Sequence, residues 1–210
     1  MTEGWYTRIV SKQVSKIRWI TINDFWVNIY NCKKDKTPVM ALHTSNLEIT
    51  DSTDEISNAH SFKILINHNC AQKSVVISTP NQFDIVEIKE RLQKEIAAWN
   101  EYALSTSPKL PQQFVMDNTG KFVYRNIDRL HVSIIEDGIE IKQENKEDIK
   151  ILANSTFDVY PTLETESDPR WVAITSNTGS YHLHCQTFED AKQFVSLSLH
   201  FYRRLSDKKT

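Results

Sequence analysis

Gly4-Trp5-Tyr6-Thr7-Arg8, followed after a short Ser/Lys/Gln loop by Lys16-Ile17-Arg18-Trp19-Ile20-Thr21-Ile22, decides how the chain folds. Both runs alternate apolar with polar residues, the period-2 pattern of a half-buried strand. Their ends nearest the loop are basic. Side chains two apart on a strand share a face, so Tyr6 and Arg8 form one row, and Lys16, Arg18, Ile20 and Ile22 another. A ribbon that is apolar along its length and cationic at its loop end predicts the mouth of a small barrel. Such a mouth suits a phosphorylated headgroup.

Outward from this hairpin, Phe25–Tyr30 reads as a third strand reached through the turn residues Asn23-Asp24. Further short runs follow at 39–42, 47–50, 61–67 and 73–78, seven in all, with polar turns between them, as in a sandwich or barrel. The period then changes. Ile85, Ile88, Leu92, Ile96, Trp99 and Ala103 recur every three or four residues, which predicts one amphipathic helix over 81–104.

Ser105-Thr106-Ser107-Pro108-Lys109-Leu110-Pro111 cannot continue that helix and reads as a linker over 105–112. A second cycle occupies 113–210. Strands are expected at 130–135, 139–141 after the turn Glu136-Asp137-Gly138, 149–152, 157–160, 171–174 and 181–185. A closing helix over 188–205 offers Phe188, Ala191, Phe194, Val195, Leu197 or Leu199, Phe201 and Leu205 for packing. Thr187 and Asp190 have capping-box spacing, with Asp in place of the usual Glu. The fold class expected is mainly β with C-terminal helices.

Residues 4–104 resemble a pleckstrin-homology (PH) domain. The resemblance rests on the first hairpin, on Asp35-Lys36-Thr37-Pro38 with Asn46-Leu47-Glu48-Ile49, and on the order of strands then helix. Ile88 or Leu92 stands where such domains usually carry Trp in the closing helix, and Trp99 comes later. The second half resembles another PH-superfold domain. Its stretch from Thr165 through Asp168-Pro169-Arg170-Trp171 to Ile174, with Tyr181-His182-Leu183-His184-Cys185, is similar to phosphotyrosine-binding (PTB) domains and equally to a second PH domain. The implied architecture is two tandem PH-like barrels, each of seven antiparallel strands capped by one α-helix, in domains 1–104 and 113–210.

Lipid-binding PH domains carry a basic residue on the first strand and Lys/Arg-x-Arg before an aromatic on the second. This pattern assigns Arg8, Lys16 and Arg18 to a phosphoinositide headgroup, with Lys12 reaching from the loop and Tyr30 adding a hydroxyl from the third strand. Clustered phosphates need convergent charge-assisted donors, for which Arg offers a planar fork and Lys a point charge. Lys33, Lys34 and Lys36 form a basic loop expected beside the bilayer, where each cation adds about 1 kcal/mol.

The chain of 210 residues has a formal net charge of -2, so any pull toward an anionic surface must be local. Residues 8–36 hold seven Lys/Arg against Asp24 and Asp35, while the second half is net acidic. Three widely spaced cysteines, Cys32, Cys70 and Cys185, fit neither a disulfide framework nor a zinc knuckle. With no signal pattern and no long apolar run, the expected setting is cytoplasmic with peripheral membrane association. The Asn154-Ser155-Thr156 sequon then carries no meaning.

His182 and His184 share a strand face but lack further ligands nearby, and Glu48, Asp51, Asp54 and Glu55 lack a calcium-loop pattern, so no metal is expected. The five tryptophans read as core and cross-strand packing. Nucleophile-elbow, phosphate-loop, zinc-protease and dinucleotide motifs are missing. The expectation is a non-enzymatic adaptor with no catalytic residue and no cofactor. It would bind a phosphoinositide or anionic membrane, with a possible protein partner on the second domain and no nucleic acid. The alternative is a protein-interaction scaffold that receives an extended peptide by strand addition, with no lipid role.

Overall fold

The computed structural model describes residues 3–11, 14–52, 60–68, 71–118, 128–144, 146–153, 157–161 and 168–207. Lys12, Asp54, Glu55, Cys70, the 154–156 sequon, residues 165–167 and the side chain of Leu205 lie outside that description. The chain divides into two compact units, Met1–Tyr102 and Ala103–Thr210.

In the first unit the strands are Trp5–Ser11 (β1), Val14–Asn23 (β2), Trp26–Tyr30 (β3), Met40–His43 (β4), Leu47–Asp51 (β5), His60–His68 (β6) and Ala71–Thr79 (β7). The helix Gln82–Ser105 (α1) follows. The sheet runs β4-β3-β2-β1-β7-β6-β5, antiparallel throughout. Alternation decides which side chains meet. Ile9, Ile20, Ile22, Val27, Ile29, Leu42, Phe62, Ile64, Ile66, Val75 and Ile77 are all buried, and register puts them on the inner face. From α1, Ile85, Ile88, Leu92, Trp99 and Ala103 are buried as the 3.6-residue period predicts, with Ile96 half-buried. Asn81 caps this helix, its Oδ1 accepting from the Phe83 N–H at 3.0 Å.

The β2–β3 turn carries strain. Asp24 and Phe25 have φ of 53° and 67°, left-handed values unusual for a bulky side chain. Tertiary contacts hold them there. The Phe25 ring packs 5.3 Å from both Trp99 and Tyr102, and its N–H donates to Glu95 Oε2 at 3.0 Å. Arg91, paired with Glu95 at 3.3 Å, donates through Nε to the Ile22 carbonyl at 3.3 Å.

The second unit repeats the order. Its strands are Gln112–Asn118 (β8), Asp128–Ile135 (β9), Gly138–Gln143 (β10), Ile149–Leu152 (β11), Asp158–Pro161 (β12), Trp171–Ser176 (β13) and Gly179–Cys185 (β14), with helix Phe188–Asp207 (α2). Its sheet runs β11-β10-β9-β8-β14-β13-β12, and α2 packs on β12, β13 and β14. Leu199, not Leu197, is the buried member of that pair, beside Ala191, Phe194, Val195 and Phe201.

Two local features follow from chemistry legible in the residues. Thr187 and Asp190 close a reciprocal capping box. The Thr187 hydroxyl accepts from the Asp190 N–H at 3.0 Å, and the Asp190 carboxylate accepts from the Thr187 N–H at 3.2 Å. Gly138 opens β10 where an added Cβ would lie 2.0 Å from the Ile151 carbonyl oxygen, so only glycine fits. Together the units form a mainly-β, tandem PH-like fold of two seven-stranded antiparallel sheets, each followed by one helix.

Candidate functional site

The hairpin β1–β2 is paired from Trp5↔Ile20 to Ser11↔Val14, and partners directly opposite share a face. Thr7 lies opposite Arg18 and Ile9 opposite Lys16. Thr7 and Ile9 are buried inward, so Lys16 and Arg18 stand in the inner row, above Ile20 and Ile22, at the loop end. Lys16 is exposed and Arg18 half-buried.

Arg8 belongs to the other face. It lies opposite Ile17, while Tyr6 lies opposite Trp19. The expected convergence of Arg8 with Lys16 and Arg18 is therefore corrected: the three cations divide between the two faces of the ribbon. The cause is register. Paired residue numbers sum to an odd value, so even-numbered Arg8 cannot share a face with even-numbered Lys16 and Arg18. Tyr30 is corrected for the same reason. It pairs with Trp19, is half-buried, and lies on the face of Arg8.

This outer face makes its own cluster. Tyr6 meets Trp19 edge-on with ring centroids 4.8 Å apart, and the Tyr6 hydroxyl accepts from the Lys33 N–H at 3.4 Å. Lys33 Nζ sits 4.8 Å from the centre of the Trp19 ring, a cation–π contact. Gly4 lies so close over Trp19 that an added Cβ would come within 2.7 Å of the indole. Around these groups, Ile17 is 64% and Tyr6 53% exposed. Arg8 is exposed and has no ion-pair partner among the described residues.

The basic loop after β3 stands at the same end as the hairpin loop, because β3 runs antiparallel to β2 and ends at Tyr30, opposite Trp19, heading toward that loop. Asp35 shapes it, accepting from the Cys32 N–H at 3.0 Å and from Cys32 Sγ at 3.1 Å. The turn leaves Lys33, Lys34 and Lys36 exposed. Sequence reading found these lysines but missed the part Asp35 plays, because the turn signature places Asp at the first position of a turn and not at the fourth.

In the second unit, Asp168 is bound bidentately by Arg170, Nε to Oδ1 at 2.9 Å and Nη2 to Oδ2 at 2.8 Å, and faces His184 Nε2 at 3.1 Å. The His184 ring lies against Trp171, with centroids 4.9 Å apart. Burial pushes the Asp168 carboxyl up, but hydrogen bonds from Arg170 and His184 and the guanidinium charge outweigh it and hold the pKa at about 2. Arg170 is thus engaged within its own unit. Cys185 is buried, and burial, then the Asp190 charge, push its thiol up to about 12.

Among the described residues no helix is long and apolar enough to cross a membrane. No family model matches the chain, and no curated protein matches it. Among solved structures the chain is similar to one titled "Vav1 inhibited by an allosteric inhibitor: Vav1 inhibitors block GEF activity", with 11% identity and a TM-score of 0.42. That match covers 53% of this chain and 22% of the other, so this chain spans about a fifth of that protein's length.

Proposed function

We propose that the protein is a non-enzymatic adaptor whose first unit docks on anionic membrane through the loop end of β1–β2. The observation that carries the reading is the placement of Lys16 and Arg18 side by side in the inner row of the barrel mouth, above an apolar core. A phosphoinositide headgroup entering there meets a planar fork and a point charge from one strand. Arg8 plays a different part. On the outer face with Lys33, Tyr6 and exposed Ile17, it supports contact with the bilayer surface rather than with the headgroup in the mouth. Exposed Lys34 and Lys36 extend the cationic surface at that end.

The test is flotation with phosphatidylcholine vesicles carrying either phosphatidylinositol bisphosphate or phosphatidylserine. Lys16→Ala with Arg18→Ala should cut binding to the phosphoinositide vesicles by about tenfold. Arg8→Ala should weaken binding to both vesicle types alike and keep the preference between them. A double variant that floats with phosphoinositide vesicles as well as the parent would sink the reading.

A further inference from the structure

The two units carry opposite chemistry at the same end of the same fold. Aligning the strand before each helix places Thr79 on Cys185, since α1 and α2 each begin three residues later. The pairing Arg8↔Ser78 then corresponds to Asp117↔His184, and the position of Arg18 in the first unit is taken by Leu130 in the second. Ile20 corresponds to Val132 and Ile22 to Ile134, both pairs buried, which supports the alignment.

The mouth around Leu130 is an open cavity of about 190 Å³. Leu130, Ile141, Ile149 and Leu183 give it apolar walls, Glu147 contributes a carboxylate, His182 an imidazole, and among the described residues no Lys or Arg lines it. Lys142 and Lys150 stand nearby but are engaged elsewhere, Lys142 with Glu140 at 3.1 Å and Lys150 with Asp137 at 2.8 Å. Glu147 has no ion-pair partner among the described residues and is exposed. The Glu147 carboxylate disfavours an anionic headgroup here. A ligand with an aliphatic stem and a cationic end matches both the walls and the charge.

The strand beside the cavity narrows the source of that ligand. β11 is the terminal strand of its sheet, pairing only with β10 among the described residues. Its backbone groups on the far side can accept another extended chain. Ile149 lines the cavity from this strand, and Leu152 on the opposite face is 51% exposed. The cavity is smaller than the several hundred Å³ of a drug-sized pocket and suits one side chain. We propose that an extended segment of a partner protein pairs along β11 and inserts a lysine side chain between Ile141, Ile149 and Leu183, with its ammonium on Glu147. The four methylenes fill the walls, and the cation replaces some of the water on the carboxylate.

The experiment uses the isotopically labelled full chain at neutral pH, titrated with the capped peptide Thr-Val-Lys-Val-Thr and with versions carrying norleucine or glutamate in place of lysine. The lysine peptide should shift the amides of Ile149–Leu152 together with those of Gln143 and Leu183, saturably. It should bind about fivefold tighter than the norleucine peptide, as a partly exposed ion pair allows, and the glutamate peptide weakest. Glu147→Gln, at an exposed position, should remove the lysine advantage without altering the norleucine affinity. Equal affinity for all three peptides, or shifts that avoid β11 and the cavity, would overturn the proposal. Hexylammonium is the final arm. If it binds as tightly as the lysine peptide, the site takes a free amine and the peptide assignment falls.

Discussion

Asp168 shows most directly what a single side chain contributes. Its pKa is lowered from 3.8 to about 2 in the folded protein. Below the ordinary carboxylate value the unfolded chain takes up this proton first, so the group's stabilisation is complete above about pH 4 and is lost as pH falls through about 2. Asp168→Asn should therefore cost about 1 kcal/mol near neutrality, a figure kept small because the cluster is partly solvated. In urea titrations at a series of pH values, the gap between parent and variant should close on the acid side. A gap unchanged down to about pH 2 would refute the assignment of the low pKa. The cation pattern, by contrast, was only half legible. Within each strand the two-residue period gives the rows correctly, so Lys16 and Arg18 are rightly joined and Tyr6 is rightly with Arg8. Which row of β1 meets which row of β2 depends on register, and the hydrophobic pattern could have fixed it: Ile9 and Thr7, not Tyr6, are the inward residues of β1.

Among the elements, the β2–β3 turn is where local preference yields to packing. Left-handed backbone at Phe25 costs about 1–3 kcal/mol, which the contacts with Trp99, Tyr102 and Glu95 offset. Two substitutions separate the effects. Phe25→Ala keeps the strained φ and deletes the ring, whereas Phe25→Gly deletes the ring and relaxes the backbone. Both should destabilise the first unit, with the alanine variant worse by about 1 kcal/mol in chemical denaturation. Equal losses would mean that the turn stores no strain. Most elements were readable because period and length agree, as in α1 and β6–β7. β8 has no clear sequence signal: the linker expected over 105–112 overlaps a strand that begins at Gln112. Only Phe114 and Met116 point inward there, Val115 is 38% exposed, and Gln112, Gln113, Asp117 and Asn118 give the run a polar, loop-like composition. The strand exists because β9 pairs along its whole length.

At the scale of the molecule, one fold is used twice with different surface charge, and the formal net charge of -2 conceals the difference. Membrane attraction that arises from a local cationic end should be screened by salt, since the Debye length is about 8 Å at physiological ionic strength. Vesicle flotation of the full chain should fall steadily as salt rises, and a fragment covering 106–210 should not float under any of these conditions. Salt-insensitive flotation, or flotation of that fragment, would move the membrane contact away from the first hairpin. The fold repeat was legible from the order of strands and helices. The lysine-accepting mouth was not, because its walls come from four separate strands and no short motif unites them.

Cys32, whose thiol donates to Asp35, marks the cationic end of the first unit. Cys32 is exposed among the lysines, whereas Cys185 is sealed in the second unit with its thiol pushed up to about 12. With Cys70 replaced by serine, a maleimide dye or nitroxide label would find a single accessible attachment point on the native protein, at the cationic end. Polarity and depth readings from such a reporter would track the approach of that end to a bilayer while leaving every charged side chain in place.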